Sequence, residues 1–307
     1  MNKFQRSWLL FKSSISIIAK NKLLLVFPIG IFACTTIIIL FFLAPPLLRP
    51  TGYSYVSAQH WQTIYHSLVS QSASAGQPGS QLAFTPGAIA YLVFLYLISM
   101  LIATFLNVAF YHEILAALGG QPVSIETGLK FAVSRWKAIL MWTLFAGLVG
   151  LLIKTIEQRL ELVGRIIARL LGLAWSVAAV FAIPVIVREE QSANPVAMLR
   201  KSCSILKRTW GEALIGYVGL SFANMLILLG SLFVLGAAVA TSIVLQNFWI
   251  LAFVGVLWLM ALFAWSYVAS VAGQVYKGAL YLYAAEGVIA APYSQEMLDQ
   301  AWKFKKS

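Results

Sequence analysis

Residues 23–44 read LLLVFPIGIFACTTIIILFFLA, twenty-two positions without a charged side chain between Lys22 and Pro45. As a helix rising ~1.5 Å per residue, this stretch crosses the ~30 Å hydrocarbon layer of a bilayer. Apolar runs of similar character recur at 86–111, 138–156, 170–187, 213–238 and 248–273. Together they predict an all-α integral membrane protein with about six transmembrane helices. Composition agrees, because 61% of the 307 residues are apolar and 10% are charged, against about 25% charged in a soluble domain. The apolar run continues from Thr35 to Leu43 beyond Ile31-Phe32-Ala33-Cys34. That continuation argues for a retained span over a cleaved signal.

Immediately before the first run, Phe4, Trp8, Phe11, Ile15 and Ile18 lie three or four apart, one stripe of a helix, with Arg6, Lys12 and Lys20 elsewhere around it. The pattern returns before the third run with Ile125, Leu129, Ala132 and Trp136, backed by Glu126, Lys130 and Arg135. It returns before the fifth with Val196, Leu199, Cys203, Leu206 and Trp210, backed by Arg200, Lys201, Lys207 and Arg208. Ser124 suits the N-cap of the second helix, and Asn194-Pro195 the cap and first turn of the third. Three basic amphipathic helices are therefore expected at the membrane interface, their apolar stripes among the acyl chains. Each precedes a pair of spans. The chain thus reads as one membrane domain, 1–307, of three repeated units, 1–112, 113–190 and 191–287, with a short tail at 288–307. Ser14-Ile-Ser-Ile-Ile-Ala-Lys-Asn21 resembles Ser202-Cys-Ser-Ile-Leu-Lys-Arg-Thr209, which favours a structural repeat.

The net charge of +12 is distributed along the spans and not gathered into a nucleic-acid-binding motif, so no nucleic-acid partner is expected. Seventeen Lys and Arg belong to the N-terminal segment, the second and fourth connections and the C-terminal tail, against five in the first and third connections. The positive-inside rule then places both termini in the cytoplasm. Four of those five lie in the third connection, 154–169. It reads either as an outside loop or as an interfacial hairpin with Leu160, Val163, Ile167 and Leu170 on one face. The first outside connection, 45–85, opens on Pro45-Pro46, lacks Asp and Glu, and reads as a flexible polar loop around Ser72–Ser80.

No constellation points to catalysis. His60 and His66 are six residues apart in a loop without carboxylates, whereas helical metal ligands need closer spacing; both read as surface residues. His112-Glu113 lacks the second histidine of the zinc-hydrolase pattern and reads as the end of span two. Glu189 and Glu190, ~100° apart on a helix, suit solvated charges beside Arg188. Phosphate-binding glycine loops and nucleophile elbows are absent from the sequence. No enzyme activity, metal or cofactor is expected. Cys34 and Cys203 belong to different depths, so no disulfide is expected. Trp136, Trp210, Tyr217, Trp249, Tyr276 and Tyr281 fit an interfacial belt. Asn107 and Asn224, in spans two and five, either line a polar pathway or bond helix to helix.

Three stretches carry a resemblance to an uncharacterised family of bacterial multi-pass membrane proteins. They are Phe4-Gln-Arg-Ser-Trp8 with Ser13-Ser14; Pro184-Val-Ile-Val-Arg-Glu-Glu190 followed by Arg200–Glu212; and Ala279-Leu-Tyr-Leu-Tyr-Ala-Ala-Glu-Gly287. The first loop and the second unit depart from the family pattern. The resemblance implies a bacterial inner (plasma) membrane location and assigns no activity.

The sequence thus predicts a non-enzymatic protein that organises anionic lipids or membrane partner proteins. Arg6, Lys12, Lys20, Lys130, Arg200, Lys201, Lys207 and Arg208 are the expected headgroup contacts, each contributing ~1 kcal/mol. The alternatives are a carrier or channel for a small neutral or lipid-like molecule, using Asn107 and Asn224, and an accessory subunit of a larger membrane complex.

Overall fold

The structure, a computed structural model, describes residues 3–72, 81–160, 162–189 and 193–294; the side chains of 3–7, 70–72, 81–83, 162–163, 209–224 and 226–227 lie outside that description. Ten α-helices are present among the described residues: α1 (Lys3–Lys20), α2 (Val26–Leu47), α3 (Ala58–Leu68), α4 (Pro86–Leu118), α5 (Ile125–Ser134), α6 (Trp136–Arg159), α7 (Leu162–Ala178), α8 (Ala182–Arg188), α9 (Pro195–Val244) and α10 (Phe248–Tyr281). A two-stranded antiparallel hairpin, β1 (Val69–Ser72) with β2 (Gln81–Phe84), sits between α3 and α4. Local chemistry sets many helix starts. Thr85, Ser124, Asn194 and Asn247 each accept from a backbone N–H of the first turn, and Pro86 and Pro195 occupy the N1 positions.

Five segments are long and apolar enough to cross a membrane: Lys22–Leu47, Pro86–Leu118, Trp136–Arg159, Gly164–Arg188 and Phe248–Glu286. This is the architecture of an all-α membrane protein. The expected fifth run, 213–238, falls inside α9, where most side chains to residue 227 lie outside the described set; Leu228–Val244 is its described apolar part.

Several expectations need correction. The third amphipathic helix is not a separate element. It runs unbroken into the following apolar segment as the 50-residue α9, because no glycine, proline or cap interrupts 196–210. By contrast, a 3-10 turn at Lys22–Leu25 separates α1 from α2, and Arg135 alone separates α5 from α6. The first connection is more ordered than its composition suggests. Helix α2 continues through Pro45-Pro46 to Leu47, α3 and the hairpin follow, and residues 73–80 lie outside the described set. The third connection is not an extended loop: α6 reaches Arg159 and α7 starts at Leu162, with Glu157 paired to Lys154 and Arg169 at 3.0 Å each.

Two helix interruptions are repaired by neighbours. Pro46 has no N–H for the carbonyl of Phe42 four residues back. Tyr91 of α4 donates its hydroxyl to that carbonyl. Between α7 and α8 the helix breaks at 179–181. There the Ser202 hydroxyl of α9 donates to the Ala178 carbonyl (2.6 Å) and accepts from the Phe181 N–H (3.1 Å). Inside a membrane such freed backbone groups need partners, since lipid supplies none.

Helix α4 is the hub, touched by α2, α5, α6, α8 and α10. Close approach depends on small residues. A Cβ at Gly278 would lie 2.8 Å from Ile114 Cγ2, and one at Gly128 would lie 2.9 Å from the Ala109 carbonyl oxygen. The buried core gathers residues 10–27, 108–118, 132–146, 181–187, 198–206 and 269–282. All of these lie toward the end of the bundle that carries most of the lysines and arginines. Away from it, Phe32, Phe41, Phe233, Phe253 and Phe263 are exposed, the surface expected to meet acyl chains.

Here the expected place of the amphipathic helices also changes. Leu10, Phe11, Ile17 and Ile18 of α1 are buried against α9 and α10. On α9 the buried face is Met198, Ser202, Ile205 and Leu206, while Val196 of the expected stripe is exposed. These buried faces pack on protein, while Trp8 of the α1 stripe and Val196 of the α9 stripe are exposed. The start of the tail packs too: Ala290 and Tyr293 are buried, and Tyr293 Oη lies 2.7 Å from Ser14 Oγ.

Candidate functional site

Two regions hold the residues singled out from the sequence. The first is the basic end. Lys12, Lys20, Lys130, Arg200, Lys201, Lys207 and Arg208 are all exposed, while the Arg6 side chain lies outside the described set. Lys130 pairs with Glu126 at 2.6 Å and Lys201 with Glu189 at 3.0 Å. Among the described residues, Lys12, Lys20, Arg200, Lys207 and Arg208 have no carboxylate partner. They sit on two helices, α1 and the first half of α9, that pack on each other, so the cations stand on a rigid support. Lys20 also borders a cavity of about 460 Å³ lined by Ser16, Asn21, Gln121 and Pro292.

Beneath this surface, ion pairs and capping bonds tie the elements together. Arg188 meets Glu286 at 3.0 Å, joining the end of α8 to the π-helical turn Leu282–Glu286 that follows α10. Glu189 is thus half of a pair with Lys201 and not simply solvated. Glu113 is buried, accepts from the Ser124 N–H at 2.7 Å, and lies 3.0 Å from His112 Nδ1. Its carboxyl group therefore sits at the N-terminus of α5, where an acidic side chain suits the free backbone N–H groups. Burial pushes the Tyr293 phenol above its ordinary range, with the Ser14 hydrogen bond opposing.

The second region lies within the apolar part of the bundle. Thr35 of α2, Asn107 and Phe110 of α4, and Ser270 and Gln274 of α10 line a cleft of about 430 Å³. Tyr111 donates to Gln274 Oε1 at 2.5 Å, and Asn107 Nδ2 donates to the Ala103 carbonyl at 2.8 Å. The Thr35 hydroxyl oxygen is buried with no hydrogen-bond partner among the described residues. From the basic-end termini of their segments, Thr35, Asn107 and Gln274 are ~16–20 Å along the helix axes at 1.5 Å per residue. Asn224, the other asparagine expected in a polar path, has its side chain outside the described set.

Two smaller expectations are overturned. His60 is fully buried, with Nδ1 2.6 Å from Thr51 Oγ1, because α3 folds its polar-looking sequence back over the loop. Tyr276 and Tyr281, expected in the aromatic belt, are buried in the core, whereas Trp136 and Trp249 are exposed.

Comparison with known proteins places the molecule. The family model described as a family of unknown function, DUF6159, matches residues 87–291. The chain belongs to that family. No curated protein and no solved structure matches it. The matched region holds two of the three stretches that carry the resemblance, 184–212 and 279–287, and the structure joins them through Arg188–Glu286, while Lys201–Glu189 closes the first on itself. The opening stretch, 4–14, and the whole of the first loop, 45–85, lie outside the match. The DUF6159 region thus covers the cleft residues on α4 and α10 but not Thr35.

Sequence reasoning named Glu113 and Ser202 without their bonding roles, and did not single out Thr35, Ser270 or Gln274 as site residues. Serine and threonine barely interrupt hydropathy, so their positions leave no trace in a run. Gln274 was hidden differently: the last apolar run stops at 273, whereas α10 continues to Tyr281 and carries Gln274 into the bundle.

Proposed function

We propose that this DUF6159 member is a non-catalytic membrane protein that binds and organises anionic lipids at its basic end. The carrying observation is the set Lys12, Lys20, Arg200, Lys207 and Arg208, exposed and without carboxylate partners among the described residues. Carboxylates satisfy Lys130 and Lys201 already, which reduces their part in the expected set. The apolar faces of the supporting helices are spent on protein contacts, so the cations meet headgroups as a fixed surface and not as floating amphipathic helices. Paired charges elsewhere at this end brace the surface.

The asymmetry of seventeen Lys and Arg against five supports a cytoplasmic basic end with both termini inside. Anionic headgroups on that side attract juxtamembrane cations by ~1 kcal/mol each. Family resemblance supports a bacterial inner membrane. The test replaces Lys12, Lys20, Arg200, Lys207 and Arg208 by Gln and titrates purified protein in neutral micelles with a fluorescent anionic lipid. Affinity should fall at least tenfold in the variant, and the fall should shrink as salt rises. Equal affinity for wild type and variant would sink the proposal. A carrier for a neutral or lipid-like molecule is the second reading, favoured by the polar lining of the intramembrane cleft.

A further inference from the structure

The cleft between α2, α4 and α10 combines three properties. Its polar lining, Thr35, Asn107, Ser270 and Gln274, includes no charged group. It opens sideways from the bundle, with Phe32 at its mouth 74% exposed and Ser270 also exposed. One of its polar atoms, the Thr35 hydroxyl oxygen, is buried without a hydrogen-bond partner among the described residues. In hydrocarbon an unsatisfied hydroxyl costs free energy that water would otherwise remove.

We propose that this cleft binds an uncharged amphipathic lipid whose hydroxyl or carbonyl groups bond Thr35, Asn107, Ser270 and Gln274. An ionised headgroup is disfavoured, because the lining offers no counter-charge at this depth. A helix from another chain fits poorly. The lining spans two turns of α2 and α4 and about one turn of α10, a trough of about 11 Å against the ~30 Å length of a spanning helix. The volume, about 430 Å³, lies within the ordinary range of small-ligand sites. Gln274 is held ready by the Tyr111 hydroxyl, and Asn107 by its bond to Ala103. Each keeps further hydrogen-bonding capacity for a ligand. This site is separate from the basic end and stands or falls independently of it.

The full chain is reconstituted in vesicles containing photoactivatable diacylglycerol, and crosslinked peptides are identified by mass spectrometry. Peptides covering 28–35, 103–110 and 270–274 should label well above those carrying Phe233 and Phe253 on the exposed belt. Replacing Asn107→Leu together with Gln274→Leu should cut cleft labelling about fivefold or more, because two hydrogen-bonding groups are lost. Belt labelling should not change. Thr35→Val with Ser270→Ala gives a second, nearly isosteric variant, and thermal melting verifies that each variant folds. Labelling of cleft and belt in equal measure would overturn the proposal. So would insensitivity to both variants, a preference for photoactivatable phosphatidylglycerol, or crosslinks from the cleft to a second copy of the chain.

Discussion

Ser202 carries one hydroxyl and satisfies two backbone groups, the carbonyl of Ala178 and the N–H of Phe181. Replacing it by Ala leaves both buried at the break between α7 and α8. Ser202→Ala should therefore destabilise the protein by about 1–3 kcal/mol, seen as a lower midpoint in detergent thermal unfolding. Tyr91 does related work for Phe42 and permits a sharper test. Tyr91→Phe alone should cost about 1 kcal/mol. In a Pro46→Ala background it should cost close to nothing, because the substituted alanine supplies the missing N–H itself. A double-mutant cycle measures the difference, and additive effects would contradict the pairing. Neither serine nor tyrosine role was legible in the sequence, since a hydroxyl inside an apolar run has no periodicity to betray its partner. The caps at Ser124 and Asn194 were legible, because cap chemistry is local and its signal lies within three residues.

At the scale of elements, the amphipathic helices show what a pattern reveals and what it withholds. The stripes of α1 and α9 identify faces that leave water. Acyl chains and a protein core are equally apolar, however, so periodicity alone does not say which one receives the stripe. The core took it: Leu10, Phe11, Ile17 and Ile18 are buried beneath α9 and α10. The serines aligned by the local similarity, Ser14 and Ser202, are both fully buried. Helix contacts are most constrained where α10 crosses α4. With a Cβ at Gly278 only 2.8 Å from Ile114, Gly278→Val must push the helices apart. The expected loss is about 1–3 kcal/mol from overpacking. Trimming the neighbour with Ile114→Ala in the same chain should recover part of it, a rescue that detergent unfolding would register.

Across the whole molecule, a tightly packed basic end gives way to a belt of exposed phenylalanines around α2, α9 and α10. That polarity follows from the chain itself. Glu113, Arg188, Glu189, Lys201 and Glu286 brace one end with capping bonds and ion pairs, while α2 and the stretch of α10 before Lys277 carry no charged side chain. The span pattern was legible from the first apolar run because length and charge-free composition are sufficient to mark a crossing. The cleft was only half legible. Asn107 stood out, whereas Thr35, Ser270 and Gln274 acquire meaning only when three distant helices bring them together. The proposed role rests on the cations at the braced end that have no carboxylate partner among the described residues, and native mass spectrometry of the protein gently extracted from its own membrane tests it most directly. Anionic lipid should remain bound to the wild-type chain and be largely lost from the variant with Lys12, Lys20, Arg200, Lys207 and Arg208 replaced by Gln. A wild-type protein that emerges free of anionic lipid, or retains only as much as the variant does, would contradict the account.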